Sequence, residues 1–158
     1  MIFLTVGTGP DGFDRLVRGV DSIAPDIDEP IRAQIGQSEY IPENIEWFRF
    51  TSEEEIQELN RTATAIISHA GAGALLTARS YEKPVVIVPR RKKYNEHTDD
   101  HQMEIASALR DHQAVFTVTD VDELKHAVDQ ARSHSGGSWT QKNSLATFLS
   151  EYFEEIEQ

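Results

Sequence analysis

The chain has 158 residues, 39% of them hydrophobic, which suits one domain with a real core. Fifteen Lys and Arg against 27 Asp and Glu give a net charge of −12, a field that repels nucleic acid and sets a nucleic-acid partner aside. Cysteine is absent, which excludes a disulfide frame, a thiolate zinc site and a cysteine nucleophile, and fits the cytosol.

Met1 runs directly into IFLTV, with no charged leader, apolar region and cleavage site, so no signal peptide is read. No apolar run approaches the roughly 20 residues needed to cross a membrane. IFLTV (2–6) predicts a short buried strand, broken by Gly7, Gly9, Pro10 and Gly12. Phe13, Leu16, Val17, Val20 and Ile23 follow at helical spacing. The stretch 25–30 is a loop, IRAQI (31–35) a second strand ended by Gly36, and IEWFRF (45–50) a third. Thr51 or Ser52 caps the next helix, with Glu53, Glu54 and Glu55 in its first turn, where negative charge is favoured.

TAIISH (64–69) is a fourth strand, followed by a helix over about 72–81; PVVIV (84–88) is a fifth, apolar enough to be buried on both faces. A charged loop (89–98) leads to a helix over 99–111 with Met103, Ala106 and Leu109 inward. AVFTV (114–118) is the last strand, Asp120 caps a helix to about Arg132, SHSGGS (133–138) is a flexible break, and a helix over about 142–154 closes the chain. Alternating strands and helices imply a single α/β domain over 1–158, Rossmann-like, its mostly parallel sheet covered by helices on both faces. In such sheets ligands bind beyond the carboxyl ends of the strands, so the loops TVGTGPDG, SHAGAG and PRRKKYNEH should share one rim.

SHAGAG carries the strongest chemical signal. Gly71 and Gly73 allow close approach to the backbone, Ser68 offers a hydroxyl, His69 an imidazole, and the helix start offers unpaired N–H groups to an anion. The first loop fits neither the dinucleotide fingerprint nor a Walker A motif; it is either a plain tight turn or a place where Thr8 and nearby amides hold a phosphate or sugar hydroxyl. RRKK (90–93) is either a solvated loop or a site for a diphosphate or an anionic lipid surface. His97 and His101 stand i, i+4, but no H-E-x-x-H motif is present, so a metal centre is set aside. Asp99, Asp100 and Gln102 at a helix start suit hydrogen bonding to hydroxyls, and the two aspartates suit simple N-capping as well.

Taken together, MIFLTVGT, QIGQSEY, ISHAGAGALLTA, KPVVIVPR and EHTDDHQMEIA, in that order over about 1–109, resemble the glycosyltransferase family 28 C-terminal domain, the donor half of a GT-B enzyme. The organisation is similar to the PssE-type subunits of two-part exopolysaccharide transferases and to the catalytic subunit of the dolichol-linked N-acetylglucosaminyltransferase. The resemblance implies a UDP-sugar as donor substrate, no separate cofactor, and a lipid-linked acceptor. It places Thr8 and Gly9 at the donor, Ser68, His69, Gly71, Ala72 and Gly73 around the diphosphate, and Asp100 and Gln102 on sugar hydroxyls, with Glu104 in a structural role. Arg90 adds charge at the diphosphate; His69, His97 or a carboxylate from a partner supplies the base. Larger relatives carry a ribose-binding carboxylate where this chain has Thr77. Because the acceptor half is missing, the resemblance also implies a membrane-anchored partner that recruits a cytoplasmic subunit to the inner face of the membrane, with homodimer formation open for the isolated chain. A non-catalytic nucleotide-sugar-binding or regulatory module is the competing expectation.

Overall fold

The computed structural model describes residues 1–134, Trp139 and 145–156. The strands are β1 (Ile2–Thr5), β2 (Ile31–Gln34), β3 (Glu46–Phe48), β4 (Ala65–His69), β5 (Val85–Val88) and β6 (Val115–Thr117). The helices are α1 (Asp14–Ile23), α2 (Glu53–Thr62), α3 (Ala72–Ser80), α4 (His101–Ala108), α5 (Leu124–Arg132) and α6 (Leu145–Ile156). All strand pairs are parallel, in the order β3-β2-β1-β4-β5-β6. The order reverses at β1: the first half of the chain grows away on one side, the second half on the other.

Side-chain alternation along each strand decides which face a residue serves. Ile2, Leu4, Ala65, Ile67, Val86 and Val88 pack in one cluster with Leu16, Val17 and Val20 of α1 and Leu124, Val128 and Ala131 of α5. Phe3, Ile66, Val85 and Ile87 point the other way, against Leu59 of α2, Leu75 and Ala78 of α3, Ile105 and Ala106 of α4, and Leu149 of α6. The central strands are therefore buried on both faces and read as unbroken apolar runs rather than alternating ones.

Most expected elements are present with trimmed ends. Ser52 caps α2 by accepting from Glu55 N. The third strand is shorter than 45–50, because an edge strand has one neighbour: only 46–48 pair with β2. The helix expected over 99–111 begins at His101. Asp99 Oδ1 accepts from His101 N at 2.9 Å in a local turn, and Asp100 has non-helical backbone angles. Ala106 and Leu109 are buried as expected, joined by Gln102 and Ile105, while Met103 is half-buried. Asp120 caps a short 3₁₀ turn (Val121–Glu123) before α5. The greater part of the expected break, 135–138, and the expected start of the last helix, 142–144, lie outside the described residues.

The segment after β2 fastens the first glycine loop. Ser38 Oγ accepts from Phe13 N at 2.9 Å, and a Cβ on Gly12 would come 2.7 Å from Ser38 Cα. Asp21 of α1, 2% exposed, holds the far end of the same segment, accepting from Tyr40 Oη (2.7 Å), Asn44 N (2.7 Å) and Glu43 N (3.1 Å). Burial raises the Asp21 carboxyl, but the bonds from Tyr40, Asn44 and Glu43 outweigh it and hold the group below its ordinary 3.8. Its contribution to stability is thus complete above about pH 4 and is lost as pH falls through the lowered folded value. Asp21→Asn should cost about 1–3 kcal/mol at pH 7 by impairing these buried bonds, and the gap from the parent should narrow at pH 2–3; urea unfolding at both pH values measures this.

Candidate functional site

The loops after β1, β4 and β5 meet beyond the carboxyl ends of the strands, where the strand order reverses. The register makes them level: Thr5 pairs with Ser68, and His69 with Val88. They enclose a cleft of about 490 Å³, lined by Thr8, Gly9, Ser68, His69 and Gly73, with Arg90, His97 and Gln102 on the β5 side. Thr77 of α3 and Ile56 and Asn60 of α2 extend the wall. Asn60 was not anticipated; its one signal was a polar residue four after Ile56, hence on the same helix face.

Helix α3 points its N-terminus at this cleft. Its N-cap, Gly71, offers no side-chain acceptor to the first N–H groups, which have no partner within the helix. Directly before it, Ser68 is fully buried and its Oγ has no hydrogen-bond partner. A buried hydroxyl without a partner is costly unless something else accepts from it. The His69 ring lies across Gly71, where a Cβ would come 2.1 Å from its Cε1. Gly71 therefore stays glycine for close approach to the ring, and Ala72 opens the helix behind it.

His69 Nδ1 lies 3.2 Å from Gln102 Nε2, while Gln102 Oε1 accepts from Arg90 N at 3.1 Å. Burial, and after it the Arg90 charge, push His69 down to about 4. The ring is neutral at pH 7 and a weaker base than a free imidazole. Arg90 lines the cleft, but it is 6% exposed and its guanidinium donates to the carbonyls of Gly12 and Val6 (both 2.8 Å), Glu96 (3.2 Å) and Asp11 (3.4 Å). It supplies charge from a fixed position. Lys92 and Lys93 turn outward in a 3₁₀ turn, so the basic run is divided.

His97 also lines the cleft, and its Nδ1 sits 3.2 Å from Asp99 Oδ1. Asp100, expected at a sugar hydroxyl, is placed apart from the lining residues: its Oδ1 accepts from Lys92 N at 2.9 Å and so folds the β5–α4 loop. Gln102 is buried in the cleft wall, its amide oxygen accepting from Arg90 N and its amide nitrogen facing His69 Nδ1.

The sequence profile of the glycosyltransferase family 28 C-terminal domain matches residues 1–155. Over 131 residues the chain is 33% identical to the human UDP-N-acetylglucosamine transferase subunit ALG13, covering 75% of this chain and 11% of that protein. The same-named subunit of Cryptococcus neoformans is 38% identical over 86 residues, covering 53% of this chain and 40% of that one. The chain thus spans about a tenth of the human relative and two-fifths of the fungal one. Among solved structures, an NMR structure of ALG13 superposes with a TM-score of 0.64 at 17% identity, covering 99% of this chain and 96% of that one. The calicheamicin glycosyltransferase CalG4 superposes at 0.63 and 15% identity, over 99% of this chain and 44% of that one. At these identities the superpositions establish a shared fold.

Two outcomes follow from His69. Its folded value lies below the 6.5 of a free imidazole, so between those values the unfolded chain binds the extra proton and stability falls as pH is lowered from about 6.5 to about 4. The loss should approach about 3 kcal/mol, and His69→Asn should flatten that part of a urea-stability profile against pH. Gly71→Ala should displace the ring and weaken anion binding at least tenfold, about 1.4 kcal/mol, as read by calorimetry with UDP.

Proposed function

The chain belongs to the glycosyltransferase family 28 C-terminal domain family, and from that premise we propose that it is the donor-binding catalytic subunit of a two-part glycosyltransferase. It moves a hexose or N-acetylhexosamine from a UDP-sugar to a lipid-linked acceptor, together with a membrane-anchored partner. The observation that carries this reading is the open N-terminus of α3 beside the buried, unpartnered Ser68 Oγ. Together they offer a preformed set of donors to a diphosphate.

The chemistry follows from the lining. The acceptor hydroxyl attacks the anomeric carbon as the bond from that carbon to the diphosphate oxygen breaks, and the electron pair leaves on UDP. The α3 dipole, Ser68, the His69 ring and the amides around Thr8 and Gly9 stabilise the developing charge, with the Arg90 cation behind them. The acceptor proton goes to His97, whose Nδ1 side is occupied by Asp99, or to a carboxylate of the partner.

Two observations support the partner. The curated relatives are themselves named as subunits. Exposed apolar side chains lie just beyond the carboxyl ends of β3 and β5, with Phe50 48% and Tyr94 50% exposed, on the rim that an acceptor half would cover. No helix among the described residues is long and apolar enough to cross a membrane, so attachment at the inner face is assigned to the partner.

Calorimetric titration with UDP, UDP-N-acetylglucosamine, UDP-glucose, UDP-galactose and UDP-glucuronic acid should show saturable binding of UDP, tightened by one sugar. Ser68→Ala should weaken UDP by about tenfold to a hundredfold, the range for a lost hydrogen bond to a charged group. Binding absent even with the partner restored would sink the transferase reading and leave an interaction module.

A further inference from the structure

We propose that Gln102 is a positioning residue that fixes His69 in its Nε2–H tautomer, so that the ring presents the cleft with a neutral hydrogen-bond donor. The backbone settles the matter. Arg90 N–H can only donate, and its partner on Gln102 is therefore the amide oxygen, 3.1 Å away. The amide nitrogen is then the atom that faces His69 Nδ1, at 3.2 Å. An NH₂ group has no lone pair to offer, so Nδ1 accepts and the ring proton sits on Nε2. That nitrogen lies on the side of Gly7, where a Cβ would come within 3.3 Å of it, in the wall of the cleft.

The surroundings reinforce this state. An amide oxygen facing Nδ1 would favour the imidazolium, but that oxygen is turned to Arg90 N, and a donor at Nδ1 favours the neutral ring. Arg90 and His97 are the charged and titratable groups acting on His69, and both oppose a second proton there. Asp11 and Glu96 act on Arg90 instead. Burial of Gln102 at 8% exposure keeps water from substituting for either bond. The arrangement links a backbone N–H after β5 to a side chain on α4 and then to the ring that ends β4, so that a donor reaches the cleft with its proton already placed.

The partner for that donor is an anionic oxygen. On the reading given above it is a diphosphate oxygen of the UDP-sugar; that identity rests on the proposed function, whereas the tautomer does not. Gln102 then acts on the ligand through His69.

Long-range ¹H–¹⁵N NMR of the labelled chain reads the tautomer directly, and calorimetry with UDP reads its consequence. The expected spectrum from pH 5 to 8 has a protonated Nε2 and a bare Nδ1. Gln102→Met keeps the volume but removes the donor; the two tautomers should then mix, and UDP should bind about fivefold more weakly, the size of one ordinary hydrogen bond. Gln102→Glu faces Nδ1 with a carboxylate and should move the His69 titration from about 4 toward the neutral range. A purely structural Gln102 would lower the melting temperature in both variants while leaving the tautomer as it was, and that result overturns the proposal. So does a parent spectrum with the proton on Nδ1. If the spectra behave as expected while none of the proteins binds UDP, the tautomer assignment stands and the UDP-sugar reading falls.

Discussion

Everything at the rim depends on one buried cation. Arg90 leaves β5 and turns inward, where its guanidinium meets the carbonyls of Val6, Asp11 and Gly12 from the loop after β1 and of Glu96 from its own loop. Its Cζ sits 4.7 Å from the centre of the Phe13 ring. A guanidinium taken out of water is tolerable only when its N–H groups find acceptors, and backbone carbonyls satisfy them without neutralising the charge. The loops are thereby tied to one point, and the cation that ties them also biases the ring beside it. The side chain that shapes the cleft is the one that sets its potential.

A second layer of support keeps that point from drifting. Glu96, buried, accepts from Arg15 Nε and Nη2 at 3.0 and 2.9 Å and from Arg91 N at 3.0 Å. Arg15 in turn donates to Pro89 O at 3.0 Å, so α1 is stitched to the β5–α4 loop. The segment after β2 presses on the loop after β1 through Ser38. A bidentate pair with both members largely shielded holds its geometry better than an exposed one.

The sheet, its helices and the three converging loops were legible in the chain, because strands buried on both faces write themselves as apolar runs and glycine-rich turns mark the strand ends. Ser68 and His69 stood out too, as a hydroxyl and an imidazole ending an apolar run beside two glycines, and both line the cleft. What was hidden is what depends on direction. A basic run reads as solvated charge, and nothing local reveals that Arg90 turns inward while Lys92 and Lys93 turn out. The inward face of α4 was read in part: Ala106 and Leu109 are buried as expected, but Gln102 rather than Met103 completes that face. Nothing local reveals that Asp100 Oδ1 accepts from Lys92 N and so folds its own loop.

The strand order has a consequence for assembly of the chain in time. β1 is made first yet occupies the centre of the sheet, pairing with β2 through Ile2 and Ile31 and with β4 through Ile2 and Ala65. The first partner emerges early and the second much later, after β3 and α2, so the neighbouring edge of β1 waits unpaired while the intervening sequence is synthesised. Long-range parallel pairing is slow, because the loop entropy is spent before any contact rewards it. The net charge of −12 opposes association between nascent copies during that interval.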